Sequence, residues 1–223
     1  LAAAHGRRAF DKGDLMLTII DYSMGNLHSV GNALDRLGVP YTVSASPEAI
    51  KNADGLILPG VGAFPDAVRC LKEKGLFGPI RARAAAGTPL LGICLGMQLL
   101  FETGLEHMPT EGLGLIAGEV VPIDGHGEKI PHIGWNSLTL DADDPIFAGV
   151  PDGAFVYFVH SFRAQTAPAH LLAHTFYGEE IPAVVKGMGK VYGMQFHPEK
   201  SHDVGLRLLS NFCRMIENGG TRK

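Results

Sequence analysis

Short apolar runs recur through the first half of the chain, and each leads into a stretch whose apolar residues fall at helical spacing. Leu17-Thr18-Ile19-Ile20 precedes Leu27, Val30, Leu34 and Leu37, with Gly38 as the stop. Tyr41-Thr42-Val43 and Gly55-Leu56-Ile57-Leu58 are further runs, the second closed by Pro59-Gly60. Phe64, Val68 and Leu71 form the next helical stripe, Ile80 to Ala86 another piece ended by Gly87, and Pro89-Leu90-Leu91-Gly92-Ile93 a buried strand before a helix that begins at Met97–Phe101. Strands this short with so few polar residues are apolar on both sides, which requires cover on both sides. The pattern predicts an α/β fold: a doubly wound, mostly parallel sheet with helices on both faces.

The second half reads differently. Glu119–Val121, Phe155–Val159, His170–Phe176, Ala183–Val185 and Val191–Phe196 are strand-like and are joined by turns such as Asp124-Gly125 and Asp152-Gly153, which predicts a smaller antiparallel β portion. A final helix follows Ser201, a candidate N-cap, with Val204, Leu208, Phe212 and Met215 as its stripe. One domain is expected over 16–218, with 1–15 as an N-terminal tail or remnant and 219–223 as a C-terminal tail.

The net charge of −4 argues against nucleic-acid binding, which calls for a basic stripe. No apolar run is long enough to span a bilayer, and residues 1–15 lack the apolar core of a secretion signal. The chain has 3 Cys and no CxxC pair, so a disulfide framework is not expected and a reducing cytoplasm is the natural compartment. The 10 His show no metal-ligand spacing, and neither a metal nor a cofactor is expected.

Gly92-Ile93-Cys94-Leu95-Gly96 lies between a strand and a helix. An abrupt strand-to-helix bend crowds its central residue, so both neighbours must be small; this is a nucleophile elbow with Cys in the place of Ser. The thiol is presented at a helix start, where backbone N–H groups favour the thiolate. A thiolate that attacks an amide needs a proton carrier for the leaving amine. His197, in Gln195-Phe196-His197-Pro198-Glu199-Lys200, is the candidate, since Pro198 keeps it extended and Glu199, two residues on, falls on the same side to fix the imidazole. The tetrahedral oxyanion needs donors too. The Leu95 N–H is one source; the turn Pro59-Gly60-Val61-Gly62 is the other, its glycines allowing close approach of backbone and reversal of a peptide.

Together these segments resemble the class I, triad-type glutamine amidotransferases, from Met16 almost to the end of the chain. The resemblance implies that Cys94 forms a γ-glutamyl thioester, His197 moves the proton, Glu199 orients His197, and the amides of Val61 and Leu95 form the oxyanion hole. It implies further that Gly62, Gln98, Glu106 and the backbone around His160-Ser161-Phe162 hold glutamine. Within the class, Ile20–Leu27, Pro131-His132-Ile133-Gly134-Trp135-Asn136, Tyr157–Ser161 and Lys200 are similar to the glutaminase subunits of imidazole glycerol phosphate synthase. The anthranilate-type members usually carry His and Ser where this chain has Met97 and Lys200. That closer resemblance implies a (βα)8-barrel cyclase partner that receives the ammonia, with Asn26, Trp135, Tyr157 and Lys200 facing it. A glutaminase serving another synthase and a non-catalytic glutamine-binding module are the alternative readings, and the intact Cys94, His197 and Glu199 argue against the second. Cys70 and Cys213 are expected to be packing residues on helices.

Overall fold

A computed structural model describes residues 16–217, and the expected tails at 1–15 and 219–223 lie outside the described residues. In chain order the elements are β1 (Leu17–Ile20), α1 (Leu27–Leu37), β2 (Tyr41–Ser44), α2 (Pro47–Asn52), β3 (Gly55–Gly60), α3 (Phe64–Glu73), α4 (Phe77–Ala85), β4 (Leu90–Cys94) and α5 (Leu95–Gln98). They continue as β5 (Phe101–Gly104), β6 (Thr110–Glu111), β7 (Ile116–Pro122), β8 (His132–Ser137), β9 (Thr139–Leu140), β10 (Phe155–His160), β11 (Phe162–Gln165), β12 (Leu171–Tyr177), β13 (Glu179–Lys186), β14 (Val191–Met194) and α6 (His202–Glu217).

The main sheet has the order β2-β1-β3-β4-β14-β13-β12-β9. It is parallel from β2 through β14 and antiparallel beyond. The apolar runs explain this order. β1, β3 and β4 are buried along their whole length, and alternate residues feed opposite cores. Leu17, Ile19, Ile57, Leu91 and Ile93 pack with Val30 and Leu34 of α1 and Leu208 and Phe212 of α6. Ile20, Leu56, Leu58 and Leu90 pack with Phe64, Val68 and Leu71 of α3 and Ile80 of α4. The doubly wound expectation therefore holds. The antiparallel portion is distributed: β12 and β13 extend the main sheet, β8 pairs with β10, and β11-β7-β5-β6 form a third sheet. Cys70 and Cys213 sit on α3 and α6 and are free thiols.

Three local expectations are corrected. The helix after the elbow is a single turn, because from Phe101 the chain pairs with Ile116 of β7 as a strand. Ser201 precedes α6 and its backbone carbonyl accepts the Gly205 N–H, but its hydroxyl is not spent on the helix: it donates to the His197 carbonyl at 2.6 Å and accepts from the Tyr157 N–H at 3.0 Å, tying β10 to the His197 segment. Pro198–Lys200 forms a 3-10 turn instead of continuing the extended chain.

Arg163 and Glu179 join β11 to β13 through a mostly buried ion pair of 2.5 Å, and Glu179 also accepts the Asp124 N–H at 2.7 Å. Burial raises the Glu179 pKa, but the Arg163 and Asp124 bonds outweigh it and hold the carboxyl below its ordinary value. Glu179→Gln is expected to lower stability by about 2 kcal/mol at neutral pH. A depressed carboxylate stabilises above its unfolded pKa and loses that contribution as pH falls through the folded value. The wild-type advantage in urea melts should therefore fade in acid.

Candidate active site

Three adjacent parallel strands bring the candidate residues together at the carboxyl end of the sheet. Gly60 at the end of β3 pairs with Cys94 at the end of β4, and Met194 of β14 pairs with Ile93. The segments that follow, Val61-Gly62, Leu95–Gln98 and Gln195–His197, must emerge side by side, as expected where ligands meet an open α/β sheet. A cavity of about 320 Å³ opens there, lined by Val61, Gly62, Cys94, Leu95, Gln98, Glu106, Pro131, Val159, His160, Ser161, Phe162 and His197. Every residue singled out in the sequence as oxyanion donor or glutamine contact lies on its wall. Glu199 stands behind His197.

Cys94 has φ 54° and ψ −112°, a conformation closed to most non-glycine residues. Its neighbours make the bend possible. A Cβ on Gly92 would meet the Gly96 carbonyl oxygen at 2.5 Å, and one on Gly96 would meet the Leu58 carbonyl oxygen at 1.8 Å. With α5 only one turn long, its macrodipole is small, and the first-turn N–H groups are what the sulfur and an oxyanion can use. The sulfur lies 3.8 Å from the Val159 carbonyl and 3.9 Å from the Gln195 amide nitrogen.

His197 is buried, and its Nδ1 donates to Glu199 Oε1 at 2.8 Å. The 3-10 turn at Pro198 folds Glu199 back under the ring, so a turn rather than an extended strand makes the contact. Among the described residues, His197 Nε2 is buried without a hydrogen bond, and the ring lies close enough to Cys94 for the two to interact electrostatically. Burial alone would lower the His197 pKa, but Cys94 and the Glu199 carboxylate together push it up to about 9. A protonated imidazole beside the sulfur is thereby favoured.

The Val61 N–H is not aimed at an oxyanion: it donates to the Met24 carbonyl at 2.9 Å. This conformation leaves the Leu95 N–H as the positioned donor, and Val61 can serve only once that bond is released. Two other candidate contacts also have partners within the chain. Glu106 Oε2 accepts the Phe64 N–H at 2.7 Å, anchoring the start of α3, so only part of its carboxylate is left for a ligand. Gln98 spends its Nε2 on the Phe162 carbonyl and on Gln195 Oε1, both at 3.0 Å, and the Phe162 carbonyl is also taken by His160 Nδ1 at 2.8 Å. Gln195 was quoted in the sequence only as part of the His197 segment, yet it is fully buried and links Gln98 to the sulfur. A fully buried amide at the end of a strand is visible only once the strand order is known.

The four residues expected to face a partner lie elsewhere. Trp135 is 45% exposed, stacked on His202 at 4.9 Å and edge-on to Tyr157 at 5.9 Å. Lys200 is exposed, and Asn26 caps α1 through the Ser29 N–H. Among the described residues, no group of His, Cys, Asp or Glu is arranged to hold a metal ion, and no helix is long and apolar enough to cross a membrane.

A family model described as glutamine amidotransferase class-I matches residues 18–216. The imidazole glycerol phosphate synthase subunit HisH of Shouchella clausii is 50% identical over 207 residues, covering 91% of this chain and 99% of that protein. The HisH subunit of Halalkalibacterium halodurans is 52% identical over 211 residues (92% and 98%), and that of Methanosarcina barkeri 48% over 200 residues (89% and 98%). In fold alone, the chain is similar to the structure of PurLQS from Thermotoga maritima, with a TM-score of 0.72 at 19% identity over 90% of this chain and 98% of that one. The structure of a glutamine amidotransferase gives a TM-score of 0.71 at 21% identity, again over 90% and 98%. The chain belongs to the class-I glutamine amidotransferase family, and within it to the HisH subunits of imidazole glycerol phosphate synthase.

Proposed function

We propose that Cys94, His197 and Glu199 hydrolyse glutamine to glutamate and ammonia, and that the ammonia is consumed by a cyclase partner making imidazole glycerol phosphate for histidine synthesis. The observation that carries this reading is the strained Cys94 thiol on the wall of a cavity, beside an imidazole whose far nitrogen is held by a buried carboxylate. The Cys94 thiolate attacks the carboxamide carbon. His197 Nε2–H protonates the departing ammonia, leaving a thioester. Water then attacks that thioester with His197 as base, and glutamate leaves. The Leu95 N–H receives the oxyanion, joined by Val61 after its peptide reverses. Glu106 and the His160–Phe162 segment hold the α-amino and α-carboxyl ends of glutamine.

The outer face of the β8–β10 pair supports a docked partner. Ile133, Trp135 and Phe155 are 57%, 45% and 59% exposed, an apolar grouping that favours burial by another protein. The partner is a (βα)8-barrel subunit forming a heterodimer with this chain in the cytoplasm. Asn26, Tyr157 and Lys200 complete the contact. The test is glutamate release from glutamine by the full chain, alone and with the barrel subunit. Stimulation by the partner is expected. Absence of turnover in both conditions would sink the proposal, and stimulation by an anthranilate or guanylate synthase instead would move the chain to another pathway.

Trp135→Ala should weaken the complex by roughly 2 kcal/mol, the size of an interface anchor. Titration of the barrel subunit into wild type and variant measures it; equal affinities would remove Trp135 from the interface.

A further inference from the structure

His132 and His160 are buried, 2% and 6% exposed, and face each other across the β8–β10 pair. His160 Nδ1 lies 2.8 Å from the Phe162 carbonyl, which can only accept, so that nitrogen carries the proton. A neutral His160 then has a bare Nε2, 3.1 Å from His132 Nδ1, so His132 must donate from Nδ1. His132 is left with a bare Nε2, and the Asn136 amide nitrogen stands 3.5 Å away to supply it. Asn136 is oriented for that by its other bonds: its nitrogen donates to the Phe176 carbonyl at 2.9 Å and its oxygen accepts the Ser137 N–H at 2.9 Å. Every link has one donor and one acceptor. Both rings carry the proton on Nδ1, the minor tautomer of a free histidine in water. Burial pushes His132 down to about 4; burial, reinforced by the neighbouring His132 and His197, takes His160 down to about 3 against its bond to Phe162.

The line ends at the cavity. The Phe162 carbonyl that His160 holds is also the acceptor for Gln98, which bonds Gln195 beside the Cys94 sulfur. We propose that His132 is a positioning residue of the glutamine site: its Nδ1–H locks the His160 tautomer, and through it the Phe162 carbonyl and the wall that binds substrate. The proposal rests on the reading of this cavity as a glutamine site. His132 does not line the cavity and touches no reacting atom.

Its ring is also stacked, at 4.7 Å from Phe158 and 4.0 Å from Tyr177, so packing and hydrogen bonding must be separated. His132→Phe keeps an aromatic ring and removes the donor. His132→Asn removes the ring and keeps an N–H as many bonds from Cα as Nδ1. If the hydrogen bond is what counts, His132→Phe raises KM for glutamine roughly ten-fold with kcat within about two-fold, the size of one hydrogen bond, and His132→Asn stays near wild type. A larger effect in His132→Asn, equal effects in both, or none in either overturns the proposal. The imidazole ¹⁵N–¹H spectrum of the wild-type chain gives a reading that needs no variant to fold. Both rings should show protonated Nδ1 and bare Nε2, and an Nε2–H form at either one overturns the proposal. If the spectrum is as expected but the wild type turns over no glutamine with its partner, the functional reading has failed and the hydrogen-bond line has not.

Discussion

Cys94→Ala is expected to remove glutamine hydrolysis down to background, a loss of roughly 10⁴-fold or more, with and without the partner subunit. No other thiol can substitute, since Cys213 is fully buried on α6 and Cys70 sits on α3, away from the cavity wall. The fold should survive, because the side chain packs at the cavity edge and the bend is imposed by Gly92 and Gly96. The strain should survive as well: alanine at φ 54° is held where an L-residue is disfavoured. Cys94→Gly should therefore be equally inactive but about 1 kcal/mol more stable than Cys94→Ala. Steady-state glutamate release and urea melts measure the two effects separately. Activity persisting in either variant would mean that the sulfur is not the nucleophile.

The second large effect is structural. Gly96→Ala would place a methyl 1.8 Å from the Leu58 carbonyl oxygen, against the backbone of β3. No rotamer change relieves that, so β3 and α5 must separate or the protein must fail to fold. A loss of at least about 3 kcal/mol is expected, which in a chain of this size lowers the melting midpoint by roughly 6–12 °C. Gly92→Ala, 2.5 Å from the Gly96 carbonyl, should follow the same course. A Gly96→Ala protein that melts with wild type would show that the elbow is looser than its geometry indicates.

The parallel half of the fold was legible because β1, β3 and β4 lie in the middle of a covered sheet, where apolar runs have a single solution. The helices that follow carry their stripes on matching faces. The meeting of the candidate site residues around one cavity was legible because glycine spacing around Cys94 and the His197-Pro198-Glu199 run restrict the backbone as well as the chemistry. β8 was not recognised as a strand. Its outward residues include Ile133 and Trp135 and its one buried residue is His132, so the usual apolar-in, polar-out alternation is inverted. The short helix α5 and the adjoining β5 were read as one longer helix, since Leu99, Leu100 and Phe101 are apolar in either arrangement. Reversal of the Gly60-Val61 peptide was an expectation of the glycine-rich turn, but the acceptor that holds the Val61 amide was not, because it comes from a loop far away in sequence.

That last contact has a consequence for control. Met24 lies in the β1–α1 loop, two residues before the helix cap Asn26. In the reaction proposed above, its carbonyl and the developing negative charge on substrate would compete for a single proton donor. A partner that draws Met24 back would then act as a throttle on bond cleavage, releasing nitrogen only when a consumer is seated and sparing the cell's glutamine otherwise.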